Sequence, residues 1–276
     1  MSIRPVQSLS DPLLEAYRNM KDKELARDGK RFIAEGENVV RRLLRSGLAV
    51  ESVLIAERKQ AAIVPVVPEH VPLFIAGDDL IESVIGFEFH SGVLACGIRP
   101  KSPGLANIVP SADRPAVIVI CQEITNTENL GALIRIAAAF GADAMVLGER
   151  CCDPFFRQCV RVSMGSIFTL PIVRSGDLLV DLDSLRKTFG VEILAATLES
   201  DAEPLKRVQR VRRMGLVFGN EAQGLDTMTI QHCDRRVTIP MKLGTDSLNV
   251  AVAAAVFLFQ LTDGEIEKTR ASSGRS

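Results

Sequence analysis

Residues 117–140, with the sequence VIVICQEITNTENLGALIRIAAAF, indicate the fold class of the chain. The run opens with four consecutive β-branched residues, Val117 to Ile120, a pattern typical of a parallel strand that is buried on both faces. A polar loop follows, and the apolar spacing from Asn129 to Phe140 then predicts a helix. A buried strand, a loop and a helix in this order form the repeating unit of an α/β domain with a parallel sheet.

The same alternation continues toward the C-terminus. Further strands are expected at 144–147, 192–196, 215–218 and 236–239. The last helix, Ser247 to Leu261, is apolar almost all round and should therefore be buried. We predict one doubly wound parallel-sheet domain over residues 115–263, followed by a disordered tail at 264–276.

A smaller α/β domain is predicted ahead of it, at residues 31–100. Short strands are expected at 32–34, 50–56, 71–76 and 92–98, with helices at 36–46 and 78–85. Residues 1–30 are polar and form an N-terminal extension with one weak helical pattern. Residues 101–114 contain several prolines and show no period of either kind, which indicates a linker at a domain boundary.

The composition excludes several classes of protein. Of the 276 residues, 47% are hydrophobic and 24% are charged, as in a folded globular protein. The net charge of −1 excludes a uniformly basic nucleic-acid coat, although not a local basic patch. The longest apolar run, Val250 to Phe259, is too short to span a bilayer, and residues 1–11 lack the apolar stretch of a signal peptide. We therefore expect a cytoplasmic protein with no membrane segment.

Cysteine and histidine spacing predicts no metal site. The six cysteines include no C-x-x-C pair, and the three histidines are far apart in sequence. We expect most of the cysteines to be buried as small hydrophobic residues. The absence of tryptophan and the single tyrosine, Tyr17, argue against a large aromatic platform for stacking bases.

Ligands of open α/β sheets bind beyond the carboxyl ends of the strands, so the loop after each strand is a candidate site. The loop after Val117–Ile120 ends at Asn129, which could cap the helix that follows. That helix carries Arg135 inside an otherwise apolar stretch. A surface arginine on an amphipathic helix is one interpretation. A functional role is the other, because the neighbours of Arg135 leave little polar face.

The loop at 218–225 places Glu221 between Gly219 and Gly224, directly after a buried strand. Glycines let backbone amides approach a ligand closely. An ordinary turn with a solvated Glu221 is the alternative, but one turn rarely needs both glycines.

In the loop at 239–249, Ser247 or Asp246 could cap the final helix. Capping does not explain Asn249, whose amide should face a polar group. Neither G-x-G-x-x-G nor a Walker A pattern occurs in the chain, which argues against a nucleotide-dependent oxidoreductase.

Together, the three loops resemble the ordered motifs of the SpoU-type (TrmH-like) RNA 2′-O-ribose methyltransferases of the SPOUT superfamily. The matching segments are NLGALIR at 129–135, GNEAQG at 219–224, IPM at 239–241 and SLNVA at 247–251. The resemblance covers residues 117–262. Residues 31–98 resemble the small RNA-binding domain that many members carry, closing with FHSGVLA at 89–95.

The resemblance implies S-adenosylmethionine as the cofactor, bound in a deep trefoil knot of the C-terminal domain. Plain topology rules would not predict a knot. It also implies a homodimer whose site is completed across the subunit interface. The cofactor-binding positions that match are Gly219, Ile239 and Leu248, with Thr197 and Met241 lining the same pocket. The catalytic positions that match are Asn129, Arg135, Glu221, Ser247 and Asn249.

For transfer of a methyl group to a ribose 2′-hydroxyl, positioning of the hydroxyl is the main requirement. The family assigns the arginine of its first motif, here Arg135, the role of base. A guanidinium keeps its proton at any physiological pH. We therefore favour an Arg135 that grips the target phosphate or the 2′-oxygen and stabilises developing charge. Glu221 would orient Arg135 or the sugar.

The RNA partner implied by the resemblance requires basic surface. We favour phosphate contact by the basic residues of 18–31 and 157–161 over the basic run at 206–213. The small domain favours rRNA over tRNA, because many minimal tRNA enzymes lack it. The alternative from another functional class is an RNA-binding protein of the same fold without catalysis, which the intact motifs argue against.

Overall fold

The computed structural model describes residues 3–18, 29–86, 90–242 and 247–262. These residues form two compact units. The first comprises the described residues up to Lys101 together with Asp153–Thr169, and the second comprises Ser102–Cys152 and the described residues from Leu170 onward. The tail at 264–276, expected to be disordered, lies outside the described residues.

The strands and helices are defined by the following bounds. The strands are β1 (Ile3–Pro5), β2 (Arg31–Glu35), β3 (Val50–Ala56), β4 (Leu73–Ala76), β5 (Val93–Ile98), β6 (Ala116–Cys121), β7 (Ala144–Leu147), β8 (Ile172–Arg174), β9 (Glu192–Ala196), β10 (Glu203–Pro204), β11 (Arg213–Phe218) and β12 (Arg235–Thr238). The α-helices are α1 (Glu37–Arg45), α2 (Gln60–Ile63), α3 (Asp78–Ile85), α4 (Leu105–Ile108), α5 (Thr127–Ala139), α6 (Arg157–Val162), α7 (Leu178–Lys187), α8 (Thr227–Gln231) and α9 (Val250–Thr262).

The second unit contains a seven-stranded sheet in the order β10-β12-β9-β11-β6-β7-β8, and all of its pairings are parallel. This confirms the parallel α/β sheet predicted from the β-branched run, whose strand β6 is buried along its whole length. The sequence did not predict β8 and β10. These edge strands have three and two residues, too few to show a strand period.

The final helix, α9, begins at Val250 and not at Ser247 as expected. It buries one face, which includes Ala254, Phe257 and Leu258. Within the single chain the expected burial is only partial, because a second set of apolar side chains on the helix is exposed: Val252, Val256 and Phe259.

The first unit contains a five-stranded mixed sheet in the order β1-β4-β3-β5-β2. Strand β1 comes from the predicted N-terminal extension and pairs with β4 in parallel. The 3-10 helix Pro12–Tyr17 then packs Leu14 and Tyr17 into the core, where the Tyr17 hydroxyl lies 2.8 Å from the hydroxyl of Ser52. The described part of the extension therefore belongs to this unit.

Residues 153–169 also pack in the first unit, although the sequence analysis grouped them with residues 115–263. The ring of Phe32 lies 5.0 Å from the ring of Phe155 and 5.7 Å from that of Phe168, measured between centroids. Arg99 donates to the carboxylate of Asp153 at 2.5 Å. An insertion between β7 and β8 is thus held by aromatic packing and an ion pair that link positions far apart in sequence.

The predicted linker at 101–114 is ordered against the second unit. Its short helix α4 and the following Val109 pack into the core of that unit. Arg213, which is only 8% exposed, donates hydrogen bonds to the carbonyl oxygens of Pro110, Ser111 and Arg114 and to that of Phe189, over distances of 2.6–2.9 Å. The segment without sequence periodicity is therefore fixed in place by packing and by the Arg213 hydrogen bonds.

The structure places no disulfide between the described cysteines, and Cys96, Cys121, Cys151 and Cys159 are buried, as predicted. Burial raises the pKa of Cys151, and burial together with nearby Asp234 raises the pKa of Cys233 to about 12. Both thiols are therefore protonated and unreactive at neutral pH.

We predict that Arg213→Met lowers the free energy of unfolding by about 2–4 kcal/mol, because it removes a buried cation and leaves its carbonyl acceptors without a donor. Urea denaturation followed by circular dichroism measures the change. The matched control is Arg212→Met. Arg212 is exposed and donates to the Asp113 carbonyl, so its loss should cost less than about 1 kcal/mol. Equal losses in the two variants would contradict the role given to Arg213.

Candidate active site

Four neighbouring strands of the second unit end at one edge of the sheet. In the order β12, β9, β11 and β6 they are adjacent and parallel, so their carboxyl ends face the same way. A cavity of about 720 Å³ lies at this edge, lined by the loops after β9, β11 and β12 and by part of α9. The cavity occupies the place where open parallel sheets bind their ligands.

The loop after β11 is a tight hairpin that requires both of its glycines. Asn220 and Gly224 exchange two backbone hydrogen bonds of 2.9 Å. A Cβ atom at Gly219 would stand 2.3 Å from the backbone of Gly224, and Gly224 itself has a φ of +69°. The hairpin alone explains both glycines, so their presence is not independent support for a ligand.

Most of the residues singled out by the motifs line this cavity. The predicted cofactor-binding residues that do so are Gly219, Ile239 and Leu248, together with Thr197 and Met241. The predicted catalytic residues that do so are Glu221, Ser247 and Asn249. Asn129 and Arg135 are not among the lining residues. The structure therefore brings most of the candidate site together and leaves the roles of its residues as predictions.

Three of the predicted catalytic residues form a hydrogen-bond chain. Asn249 donates through Nδ2 to Oδ1 of Asn129 at 2.9 Å, and Asn129 donates through Nδ2 to Oε1 of Glu221 at 3.0 Å. The chain connects the start of α9, the first turn of α5 and the glycine hairpin. Oε2 of Glu221 makes no hydrogen bond to a described residue, and it can therefore accept one from a ligand.

The cap of α5 is Asn126, and the expectation that Asn129 fills this role is wrong. The Oδ1 atom of Asn126 accepts hydrogen bonds from the backbone N–H groups of Glu128, at 2.8 Å, and Asn129, at 3.1 Å. Because Asn126 satisfies the helix start, the side chain of Asn129 is left to bond Glu221.

Asn249 caps α9, which corrects the expectation that Ser247 or Asp246 does so. Its Oδ1 accepts from the backbone N–H of Ala251 at 2.9 Å, while Ser247 precedes the helix and Asp246 lies outside the described residues. The prediction that the Asn249 amide also faces a polar group is confirmed by its bond to Asn129. Capping and site contact are therefore combined in one side chain.

Arg135 is exposed on α5 and does not join this chain. It makes no hydrogen bond or ion pair with any residue in the described ranges. Six residues separate it from Asn129, which turns it roughly 120° around the helix and moves it about 9 Å along the axis. Within one subunit, Arg135 and the Asn129 side chain thus point in different directions.

The sequence analysis missed the polar residues that support the hairpin from behind. Asp226 caps α8 by accepting from the backbone N–H of Thr229 at 2.8 Å. Arg150 bridges Asp226, at 3.2 Å, and Glu123, at 3.1 Å. No motif includes Asp226 or Arg150. Their position just after a strand or hairpin is the only feature of the sequence that could have indicated their role.

The ionised state of Asp226 follows from these contacts. Burial pushes the pKa of Asp226 upward, but the hydrogen bonds from Thr229 and the nearby Arg150 guanidinium outweigh it and hold the pKa below its usual value. Asp226 is therefore a carboxylate at neutral pH, which is the form that accepts hydrogen bonds.

Several basic residues predicted to contact RNA have partners within the first unit. Arg18 donates to the carbonyl oxygens of Leu9 and Asp11, Arg31 pairs with Glu51 at 2.6 Å, and Arg157 pairs with the buried Glu35. Arg161 lies farther from Glu35, at 3.8 Å, and is half exposed. Lys21 and Lys23, which belong to the same prediction, lie outside the described residues.

Two kinds of feature are absent from the described residues, a membrane-spanning helix and a cluster of metal ligands. None of their helices is long and apolar enough to cross a membrane. No group of three or more His, Cys, Asp or Glu side chains in these ranges is placed to hold a metal ion.

The sequence and structure were compared with known proteins. Residues 116–259 match the model of the SpoU rRNA Methylase family. The chain is 35% identical over 271 residues to an uncharacterized tRNA/rRNA methyltransferase of Mycobacterium tuberculosis, covering 95% of this chain and 92% of the relative. It is 26% identical to the 23S rRNA (guanosine(2553)-2′-O)-methyltransferase RlmP of Bacillus subtilis, covering 94% and 99% of the two chains.

Among solved structures, the AdoMet-bound rRNA methyltransferase from Sinorhizobium meliloti superposes with a TM-score of 0.81 at 25% identity, covering 95% of this chain and 98% of that one. The family model extends over more than half of the chain, and the mycobacterial relative aligns with almost all of it. This chain therefore belongs to the SpoU rRNA Methylase family.

Proposed function

We propose that this chain is an S-adenosylmethionine-dependent enzyme that methylates a ribose 2′-hydroxyl in structured RNA, rRNA rather than tRNA. One observation carries the proposal. A single cavity is lined by the cofactor positions Gly219, Ile239 and Leu248 and by two members of the hydrogen-bond chain, Glu221 and Asn249. Family membership supports the same activity.

The cavity fits S-adenosylmethionine in size and in chemistry. Its volume of about 720 Å³ lies within the range of small-molecule sites. Ile239, Leu248 and Phe257 provide apolar walls, while the backbone of the glycine hairpin provides polar groups. The named cofactor of the S. meliloti methyltransferase supports this assignment. Bound there, S-adenosylmethionine supplies an electrophilic methyl group.

The chain's own residues then position the acceptor. Oε2 of Glu221 accepts a hydrogen bond from the ribose or from Arg135, and the bonds through Asn129 and Asn249 hold Glu221 in one orientation. Arg135 grips the target phosphate or the 2′-oxygen and stabilises the charge that develops there. A guanidinium does not give up its proton at physiological pH, so Arg135 is not the base. The proton of the 2′-hydroxyl is released to solvent water when the oxygen is methylated.

A homodimer explains how Arg135 reaches this site. Val252, Val256 and Phe259 follow one another at helical spacing on α9 and are 49%, 38% and 55% exposed. Such an apolar stripe is typical of a surface that a partner covers. The ring of Phe259 contacts that of Phe140 at the end of α5, the helix that carries Arg135. A second copy on this stripe would lie beside Arg135 and receive it.

The RNA class follows from the relatives and from the first unit. RlmP of B. subtilis, named for 23S rRNA, aligns with 94% of this chain and thus includes the region of the first unit. The same reasoning supports the expected cytoplasmic location, where rRNA is found. The family's deep trefoil knot also belongs to the proposal. Its support is family membership, and the glycine hairpin and the described residues of 239–249 line one cavity, as a cofactor site in such a knot requires.

We predict that calorimetry will detect binding of S-adenosylmethionine and not of NAD. Gly219→Ala should weaken this binding at least tenfold, because the new Cβ atom would force Gly224 away and open the hairpin. Gly176→Ala is the control, since a Cβ atom there meets nothing within 4 Å. Arg135→Ala should retain the affinity within about threefold while methyl transfer falls by about 10²-fold or more, because the residue serves the acceptor. Binding of NAD alone would refute the cofactor assignment.

We predict that deletion of the gene removes a 2′-O-methyl group from rRNA, as mapped across total RNA. The wild-type chain should restore the modification, and the Arg135→Ala chain should not. A loss confined to tRNA would overturn the rRNA assignment. An unchanged map in all RNA would favour the alternative of an RNA-binding protein without catalysis.

We predict that two inactive chains complement each other across the dimer. Mixing Arg135→Ala with Asn249→Ala should restore about a quarter of wild-type activity, because half of the randomly mixed dimers hold one intact site of two. The matched control is Asn129→Ala mixed with Asn249→Ala. Those residues bond within one subunit, so every site lacks one of them and no activity should return. Recovery in the control, or none in the first mixture despite proven heterodimers, would contradict the shared site.

A further inference from the structure

Two hydrogen bonds join Gln122 to Asp226 side by side. Gln122 follows the last residue of β6 and is only 5% exposed. Its Nε2 donates to the Oδ2 atom of Asp226, and its Oε1 accepts from the backbone N–H of Asp226 at 3.1 Å. The donor and the acceptor of the buried Gln122 amide therefore both bond to Asp226, which fixes the orientation of the Gln122 side chain.

The two partners adjoin two segments of the candidate site, the loop that leads into α5 and the glycine hairpin. Gln122 donates its backbone N–H to Phe218, the last residue of β11, at 2.9 Å and lies four residues before Asn126, the cap of α5. Asp226 lies two residues after Gly224, where the hairpin ends, and caps α8. The pair therefore connects the chain entering α5 with the chain leaving the hairpin.

A second tether joins the other end of the hairpin to the same segment. Asn220 donates through Nδ2 to the carbonyl oxygen of Glu123 at 3.3 Å, while its Oδ1 accepts from the backbone N–H groups of Ala222 and Gln223. The hairpin is thus attached at Asn220 and at Asp226, on either side of Glu221. Two attachment points restrict both its distance from α5 and its tilt.

We propose that Gln122, through Asp226, is a positioning residue that sets the glycine hairpin against α5 so that Glu221 meets Asn129. This inference rests on the proposed methyl transfer, because it assigns the pair an effect on the geometry of the reacting groups. Gln122 does not line the cavity and lies outside the motifs. Its effect is exerted only through the hairpin. A displacement near 1 Å at a catalytic group can cost roughly 10²-fold in rate.

Gln122 donates and the Asp226 carboxylate accepts, and this direction can be reversed by substitution. The reversal distinguishes a positioning role of the pair from a role in packing alone. Gln122→Glu places a carboxylate against the Asp226 carboxylate, and Asp226→Asn places two amide donors against each other. The double variant combines them and restores a donor opposite an acceptor with the direction reversed, while Arg150 loses its ion pair with Asp226 and keeps the one with Glu123. The amide oxygen introduced by Asp226→Asn can still accept from the backbone N–H of Thr229, so the cap of α8 is kept.

The expected result is a reciprocal loss and rescue. Each single variant should lower kcat about 10- to 100-fold with little change in KM for RNA, because the pair acts by orienting the hairpin. The double variant should recover to within about threefold of wild type. Gln231→Glu, the same chemical change at an exposed position of α8, is the control and should keep full activity.

Hydrogen exchange of the backbone amides at 219–226 gives a readout that requires no activity. Exchange should accelerate in both single variants and return to the wild-type rate in the double variant. A wild-type chain that transfers no methyl group to RNA would overturn the proposed function, while the exchange pattern would still decide the role of the pair. Unchanged activity and exchange in the single variants, or a double variant as impaired as the worse single one, would overturn the positioning role.

Discussion

The parallel direction of seven strands is the constraint on which the site depends. Every strand of this sheet must be followed by a connection that returns to the opposite edge, so the carboxyl ends of β6, β9, β11 and β12 collect on one side. Segments separated by up to 120 residues in sequence are brought together there. The cavity forms from the loops after β9, β11 and β12 together with part of α9, and the hydrogen-bond chain joins the glycine hairpin to the starts of α5 and α9.

Within this edge, polar side chains have distinct tasks. Asn249 and Asn126 cap the two helices, and Asn129 is thereby left to connect Asn249 with Glu221. Behind them, Gln122 and Asp226 attach the hairpin to the end of β6. Few of these groups are deeply buried, so the network contributes more to the orientation of Glu221 than to the stability of the fold.

The arginines of this chain show that a basic residue in sequence is not by itself a nucleic-acid contact. Arg213 is buried and holds the segment before β6, and Arg157 neutralises the buried carboxylate of Glu35. Arg135 differs from both, because it is exposed and has no partner among the described residues. An unpaired arginine near an apolar, exposed helix face is the arrangement that a shared site between two subunits would require.

The sequence by itself determined the parallel α/β class, most strand positions and the segments that form the cavity, because β-branched runs and loop motifs are local patterns. It could not show that residues 153–169 pack with the first unit or that the linker is ordered, since Phe32–Phe155 packing and the Arg213 bonds join distant positions. Nor could the sequence show that Asn126 and Asn249 cap helices or that Gln122 pairs with Asp226. An asparagine or glutamine has the same appearance in sequence whether it caps a helix, bonds a carboxylate or faces water. Only the tertiary structure, which sets the distance between donor and acceptor, decided among these roles.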